Sequence, residues 1–317
     1  GVQIYHFSSF ESLAEEHDIN TLLFADDTIE QGIKKQIIEK ALALNIKPLT
    51  VPNASGWVKG ELSYNQIRKI RIEDLLERDP IMLDKTNISG QVSGKCVFVT
   101  GAAGSIGSEI VRQLTRFHPS KIVLIDQAET PLYDIELELQ EHFDFDNFEV
   151  VICDVSRQNV MRELFRKFRP HVVYHAAAYK HVPMMECHPV EAVHNNVLGT
   201  RILADLSHEF EVQQFVMVST DKAVNPTNVM GASKRIAEIY IQALNERSKT
   251  SFITTRFGNV LGSNGSVIPR FRKQIESGGP ITVTHPEITR YFMTIPEACQ
   301  LVLEAGAMGK GGEIFIF

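Results

Sequence analysis

Two stretches of this chain carry residue types that can do chemistry together. The first is Gly101-x-x-Gly104-x-x-Gly107, which follows the apolar run Val97–Thr100 and opens an amphipathic segment near Ser105. In such a turn Gly101 permits a tight reversal and Gly104 lets the backbone approach a pyrophosphate. Gly107 lets helix and strand pack closely, and Ser105 and Ile106 fall in a first helical turn whose N–H groups face the anion. The second stretch is Ser219-Thr220-Asp221-Lys222, with hydroxyl, carboxyl and amine in series, followed by Met230 and Lys234. Neighbours on a strand face opposite ways, but this pair follows the strand at a turn, where both side chains can enter one cleft.

Acidic residues at later strand ends sharpen the first motif. Asp126 ends Ile122-Val-Leu-Ile-Asp, where a carboxylate accepts the adenosine ribose hydroxyls and repels a 2′-phosphate. NAD is therefore expected rather than NADP. Asp154, ending Val150-Val-Ile-Cys-Asp, is placed with Val155 to meet the adenine, and Ala176 and Ala177 at the next strand end are assigned to the same cofactor.

The elements that must position these groups follow from periodicity. Cys96–Thr100, Lys121–Asp126, Glu149–Cys153, Val172–Ala176 and Phe215–Ser219 are short apolar runs suited to a parallel sheet buried on both faces. Segments 106–117, 130–143, 159–168, 189–210 and 232–246 carry apolar residues at helical intervals, and Thr254–Phe257 offers a further strand. The fold class is α/β, a doubly wound parallel Rossmann-type sheet, over a catalytic domain of residues 95–317.

Residues 1–64 read as a small accessory Rossmann-like α/β domain without a glycine fingerprint. Its pattern gives strand Val2–Phe7, helix Phe10–His17, strand Thr21–Ala25, helix Ile29–Leu44 and strand Ile46–Val51. Between the two, residues 65–94 are a solvated linker or an ordered strap.

Composition limits the remaining classes. A net charge of −7 over 317 residues and a pI near 5.9 argue against the basic surface of a nucleic-acid binder. Cys96, Cys153, Cys187 and Cys299 are scattered, which suggests neither a zinc site nor a disulfide framework; no metal is expected, and a reducing cytosol fits. No apolar run reaches the roughly 18 residues of a membrane span. The chain opens at Gly1 and closes on Glu313-Ile-Phe-Ile-Phe317, which reads as mid-strand, so a soluble piece of a longer protein is expected.

Several strings in series resemble a known family. They are His175-Ala-Ala-Ala-Tyr-Lys-His-Val-Pro183, Asn195-Asn-Val-Leu-Gly-Thr200, Val218-Ser-Thr-Asp-Lys-Ala-Val-Asn-Pro226, Arg256-Phe-Gly-Asn-Val260, Gly265-Ser-Val-Ile-Pro269 and Thr289-Arg-Tyr-Phe-Met-Thr294. The chain resembles extended short-chain dehydrogenases/reductases, and within them bacterial UDP-N-acetylglucosamine 4,6-dehydratases of polysaccharide biosynthesis and protein glycosylation. It is similar to the long, membrane-anchored subgroup, in which methionine, here Met230, replaces the usual tyrosine of Tyr-x-x-x-Lys.

The resemblance implies a redox-neutral cycle: oxidation at carbon 4 of the sugar, loss of water across carbons 5 and 6, and hydride return to carbon 6. It assigns Asp221 as general acid, Lys222 as the base at carbon 5, Thr220 to the carbon-4 hydroxyl and Lys234 to the nicotinamide ribose. Those tasks need Asp221 shifted upward and Lys222 downward, which burial would do; the competing reading is a plain ion pair at a strand end. Met230 lines the pocket without a proton to give. The base for the carbon-4 hydroxyl stays open among Asp221, a water relay and Lys234.

Substrate anchors expected on the same ground are Lys180, Asn259, Arg270 and Arg290, with His181 a weaker candidate. Ser219 is either a second sugar contact or a strand-terminal serine, and one of Asn195 and Asn196 braces the active-site backbone or packs a helix. The partner is a UDP-sugar; self-association is compatible, and the parent protein would sit at the cytoplasmic side of the inner membrane. A nucleotide-sugar 4-epimerase and a non-catalytic cofactor-binding scaffold are the alternatives.

Overall fold

The computed structural model describes residues 3–25, 29–51, 68–69, 85–143, 145–263, 265–283, 285, 287 and 290–317. The chain divides into two compact units, Gly1–Pro80 and Ile81–Phe317.

In the first unit, helix α1 (Phe10–Glu16) precedes strand β1 (Thr21–Phe24), helix α2 (Gln31–Ala43) and strand β2 (Lys47–Thr50). β1 and β2 run parallel with Thr21 opposite Lys47, and a short strand β3 (Arg68–Lys69) adds antiparallel to β2. Arg68 and Lys69 thus complete a small mixed sheet instead of lying in a linker. The core is small: Ala14, Ala41 and Ile46, ringed by Phe10, Ile19, Leu22 and Leu44. The expected strand Val2–Phe7 does not form over its described part. Residues 3–6 have no regular structure and Phe7–Ser9 is a 3₁₀ turn, with Ile4 95% exposed. Alternation alone does not make a strand; a partner edge must satisfy its backbone. Residue 2 lies outside the described residues, as do 52–67 and 70–84.

The second unit opens on helix α3 (Lys85–Val92), within the stretch read as linker or strap. Its Ile88 and Val92 are wholly buried, because an amphipathic turn that finds an apolar sheet face is held there by burial rather than propensity. Strand β4 (Cys96–Thr100) follows, then α4 (Ser105–Leu114), β5 (Lys121–Asp126), α5 (Glu129–His142), β6 (Phe148–Ile152), α6 (Gln158–Phe168) and β7 (Val172–His175). After two short helices, α7 (Val182–Cys187) and α8 (Pro189–Ala192), a π-helical turn Val193–Gly199 leads into α9 (Thr200–Glu209). The expected helix over 189–210 thus runs without a break to Glu209, widened to a π-helical stretch over Val193–Gly199 that contains Asn195 and Asn196.

The chain continues through β8 (Gln214–Thr220), a 3₁₀ turn Asp221–Ala223, α10 (Val229–Asn245), β9 (Ser251–Phe257), β10 (Asn259–Leu261) and α11 (Val267–Glu276). It closes with β11 (Phe292–Thr294), α12 (Ile295–Met308) and β12 (Ile314–Ile316). The seven-stranded sheet has order β12-β9-β8-β7-β4-β5-β6 and is parallel throughout; β10 and β11 pair separately.

Alternation along the strands sorts side chains onto two faces. Val97, Val99, Ile122, Leu124 and Tyr174 pack with α3, α4, α5 and α12; Phe98, Val123, Ile125, Val173 and Phe215 pack with α6, α9 and α10. Both faces are covered, so the strands read as unbroken apolar runs. The order reverses between β4 and β7, leaving a crevice beyond their carboxyl ends.

Two glycines test this packing in opposite directions. A methyl at Gly107 would lie 2.0 Å from the Gly101 carbonyl oxygen, whereas one at Gly90, inside α3, meets nothing within 4 Å. Gly107→Ala is expected to lower unfolding free energy by about 1–3 kcal/mol in urea melts. Gly90→Ala is expected to raise it by about 0.4–1 kcal/mol.

Candidate active site

The crevice at the switch point begins with main chain on main chain. Gly101 has φ +68°, and a methyl there would sit 2.5 Å from the Ala177 amide nitrogen. Gly104 caps α4 in extended conformation, so the helix's first N–H groups open toward the crevice. Asp126 Oδ2 accepts from the Ala103 N–H at 3.0 Å and Oδ1 from the Ala128 N–H at 3.0 Å. The carboxylate expected to meet a ribose therefore also braces the glycine turn. Asp154 Oδ1 accepts from the Ser156 N–H at 2.8 Å, and Asp154, Val155, Ala176 and Ala177 line this crevice with Gly101 and Gly104. Ser105, Ile106 and Gly107 line the adjoining space toward His181 and Glu191.

A second cleft of about 280 Å³ continues from it. Lys180, His181, Ser219, Thr220, Lys222, Met230, Lys234, Asn259 and Ser266 are among its lining residues. The ends of β7, β8, β9 and β10 and the first turns of α10 and α11 converge there, as an open parallel sheet directs.

Asp221 and Lys222 follow β8 on the 3₁₀ turn and form an ion pair of 2.9 Å, with Thr220 Oγ1 donating to the same Oδ1 at 2.9 Å. Lys222 lines the cleft; Asp221 stands at its margin, 48% exposed. The upward shift expected of Asp221 is reversed. Partial burial works to raise it, but hydrogen bonds from Lys222 and Thr220 and the Lys222 charge together hold it below the usual carboxylate range. Burial was the expected cause, and in this pair the opposing partner outweighs it.

Helix α10 starts at Val229, three residues earlier than the sequence pattern indicates, because the Asn228 side chain accepts from the Gly231 N–H at 2.8 Å. Met230 and Lys234 consequently share one helix and one wall. Met230 is 3% exposed and packs on Met185 and Ala192, so it is core filler and cleft lining together. Lys234 is buried, and desolvation brings it down to about 8, with the Glu238 charge opposing.

Beneath them runs a chain of hydrogen bonds. Thr200 Oγ1 donates to the Asn196 carbonyl at 2.6 Å, so it accepts from His175 Nε2 at 2.9 Å. His175 Nδ1 is then the acceptor for Thr100 Oγ1 at 2.7 Å. The ring is neutral, held down to about 3 by burial and then by the Lys234 charge. Asn196 braces Tyr179 from both sides, accepting its N–H at 2.8 Å and donating to its carbonyl at 3.0 Å. The π-helical turn is what points Asn195 and Asn196 inward together, and both are buried.

Of the substrate anchors, Lys180 and Asn259 line the cleft and Arg270 and Arg290 do not. Ile268 occupies the inward face of α11, and Arg270, two positions on, is turned to solvent. Arg290 is exposed before β11. Lys180 is lowered from its ordinary value by desolvation. Ser219 is 4% exposed and donates to Glu238 Oε1 at 2.6 Å.

Three features escaped the sequence reading. Glu238 is fully buried against Arg256; a methyl at Gly231 would lie 2.2 Å from the Lys222 carbonyl oxygen; and Ser266 Oγ, at the head of α11, is buried without a hydrogen-bond partner among the described residues. The only available signal was the glycine inside Met230-Gly-Ala-Ser-Lys234, since a helical glycine marks a close approach.

Comparisons with known proteins agree with this geometry. The family described as polysaccharide biosynthesis protein matches residues 97–317. The capsular polysaccharide biosynthesis protein CapD of Staphylococcus aureus is 52% identical over 306 residues, covering 96% of this chain and 51% of that protein. The chain spans about half the length of the curated relatives it matches, 51% and 50% for the first two. Among solved structures, Pen from Bacillus thuringiensis is 33% identical with a TM-score of 0.67, covering 71% of each chain. The dTDP-glucose 4,6-dehydratase DesIV from Streptomyces venezuelae, solved with NAD bound, is 22% identical with a TM-score of 0.63 over 69% of this chain and 74% of that one; it shares the fold. From the family match across residues 97–317 and the identity to CapD, this chain belongs to the polysaccharide biosynthesis protein family.

Proposed function

We propose that this chain is the catalytic part of an NAD-dependent UDP-N-acetylglucosamine 4,6-dehydratase that supplies a 4-keto-6-deoxy amino sugar for surface polysaccharide or glycoprotein. The observation that carries the reading is a cleft lined by Thr220, Lys222, Met230 and Lys234 that adjoins a glycine cradle through shared lining residues such as Ile106 and Lys180. The cradle fits a dinucleotide because any side chain at Gly101 would strike backbone, leaving an open helix terminus for a diphosphate. A bound NAD would supply hydride acceptance at carbon 4 of the sugar and hydride donation at carbon 6.

The residues of the chain supply the proton transfers. Thr220 orients the carbon-4 hydroxyl, and Lys234 holds the nicotinamide ribose. The Asp221–Lys222 pair starts as carboxylate and ammonium, 2.9 Å apart. Covering by the sugar removes water and favours the neutral form, reached when Lys222 passes a proton to Asp221. Neutral Lys222 then takes the carbon-5 proton, acidified by the adjacent ketone, while Asp221 protonates the departing carbon-6 hydroxyl. Water leaves and the pair returns to its ionised state; Lys222 gives a proton to carbon 5 when hydride returns to carbon 6, and the proton released from the carbon-4 hydroxyl to solvent replaces it, so the cycle balances. The resemblance supports a parent protein at the cytoplasmic face of the inner membrane; among the described residues no helix is long and apolar enough to cross a membrane.

One observation favours a 4-epimerase instead: Asp221 is held ionised at rest, and epimerisation needs no acid at carbon 6. Incubation of the whole protein with UDP-N-acetylglucosamine in deuterated water, followed by NMR, separates the two. A 4-keto-6-deoxy product carrying deuterium at carbon 5 is expected; a carbon-4 epimer without solvent label would establish the rival.

Lys222→Ala is expected to cut water loss by at least about 100-fold while NAD occupancy stays unchanged. Met230→Leu should keep most of the turnover, and near-total loss would contradict a passive methionine. Because Lys234 is depressed to about 8, its ammonium is intact below that pH and lost above it. Turnover should accordingly fall as pH rises through about 8; a kcat profile flat to strongly alkaline pH would refute the ribose-binding role.

A further inference from the structure

Behind the cleft lies a charge cluster that none of these steps uses. Glu238 is fully buried on α10, one helical turn after Lys234. Its Oε1 accepts from Ser219 Oγ at 2.6 Å and from Arg256 Nε at 2.9 Å. Its Oε2 accepts from Arg256 Nη2 at 2.6 Å and Arg235 Nη1 at 3.1 Å. Both oxygens are therefore saturated with donors. Burial by itself would raise this carboxyl; the bonds from Arg256, Ser219 and Arg235 outweigh it and keep the group ionised.

The donors come from three elements that wall the cleft. Ser219 immediately precedes Thr220 at the end of β8, Arg256 precedes the cleft-lining Phe257, Gly258 and Asn259, and Arg235 adjoins Lys234 on α10. An ionised carboxylate can only accept, so the Ser219 hydroxyl must donate rearward. What Ser219 offers to the cleft is then lone pairs alone.

We propose that Glu238 is a positioning residue of this site: it fixes Ser219 as an obligate hydrogen-bond acceptor in the cleft and fastens the ends of β8 and β9 to α10. The proposal rests on the dehydratase reading for the identity of the donor, a hydroxyl of the sugar. Ser219 thereby selects a hydroxyl or N–H at its position and disfavours an ether or carbonyl oxygen, which brings lone pairs against lone pairs. This also decides the role of Ser219 between sugar contact and strand-terminal serine: its polarity is set for a ligand.

The test is a double-mutant cycle in the whole protein with NAD and UDP-N-acetylglucosamine. Glu238→Gln keeps the side-chain volume but brings an N–H₂ group that releases the hydroxyl from its fixed direction. Ser219→Ala removes the acceptor. Each single variant is expected to lose about tenfold in kcat, the scale of one buried hydrogen bond. The double variant should be no worse than the poorer single, because both act through one hydroxyl. Wild-type kcat in Glu238→Gln, or losses that multiply in the double, would overturn the proposal.

Should Glu238→Gln fail to fold, Glu238→Gln combined with Arg256→Met removes both charges and takes its place in the cycle with the same outcomes. If the wild-type protein makes no 4-keto sugar, the dehydratase reading falls and positioning is judged without sugar. Amide hydrogen exchange of residues 219–222 and 256–259 in the NAD-bound protein should then quicken in the variant; unchanged exchange would refute the fastening.

Discussion

Everything at this site depends on backbone lying against backbone where β4 turns into α4. Gly101 approaches the Ala176–Ala177 main chain so closely that a methyl would lie 2.5 Å from nitrogen, and Gly107 closes on the Gly101 carbonyl in the same way. That contact brings the start of α4 to the sheet's carboxyl edge and turns the helix's amino end toward the crevice. Asp126 holds the turn from the side through the Ala103 N–H. A crevice built this way is rigid before any ligand arrives, which lowers the ordering cost of binding.

The charged groups are arranged in two tiers with different jobs. At the mouth, Asp221 and Lys222 are half-exposed and, among the described residues, pair with each other and Thr220; in the proposed reaction their proton distribution changes when a sugar replaces water. At the back, Glu238, Arg256 and Arg235 are locked by hydrogen bonds and cannot usefully change state. Lys234 lies between the tiers, buried enough to be pulled to about 8 yet steadied by Glu238. His175 beneath it stays neutral, so it adds no charge to the same wall. The proton transfers proposed at the mouth would need such a fixed rear.

The methionine at position 230 fits this division. Its side chain joins Met185 and Ala192 in a small apolar cluster against the cleft. The helix start set by Asn228, together with the absence of a side chain at Gly231, presses α10 onto the Lys222 carbonyl. Met230 and Lys234 are thus held on one wall by the geometry of α10, and Lys222 is held beside them by the close approach at Gly231.

Much of the catalytic unit was legible because its signals are local. The apolar runs, the helical periodicity, the glycine turn and the acidic strand ends each occupy a few adjacent residues, and an all-parallel sheet covered on both faces leaves little choice of layer. Thr220 ends β8, Lys222 lies on the turn after it, Lys180 follows β7, Lys234 stands in the second turn of α10 and Asn259 begins β10, all on the side of the sheet where the α/β architecture forms its crevice. By contrast, the turn of α11 that sends Arg270 outward, the lost pairing at the amino-terminal segment and the docking of α3 depend on which distant surface is available. The same holds for the direction of the Asp221 shift, a contest between burial and partners. Sequence by itself determined the kinds of group and the elements that bear them. Only the tertiary structure decided which groups meet, because hydrogen bonds such as Ser219–Glu238–Arg256 close between residues whose separation along the chain carries no signal.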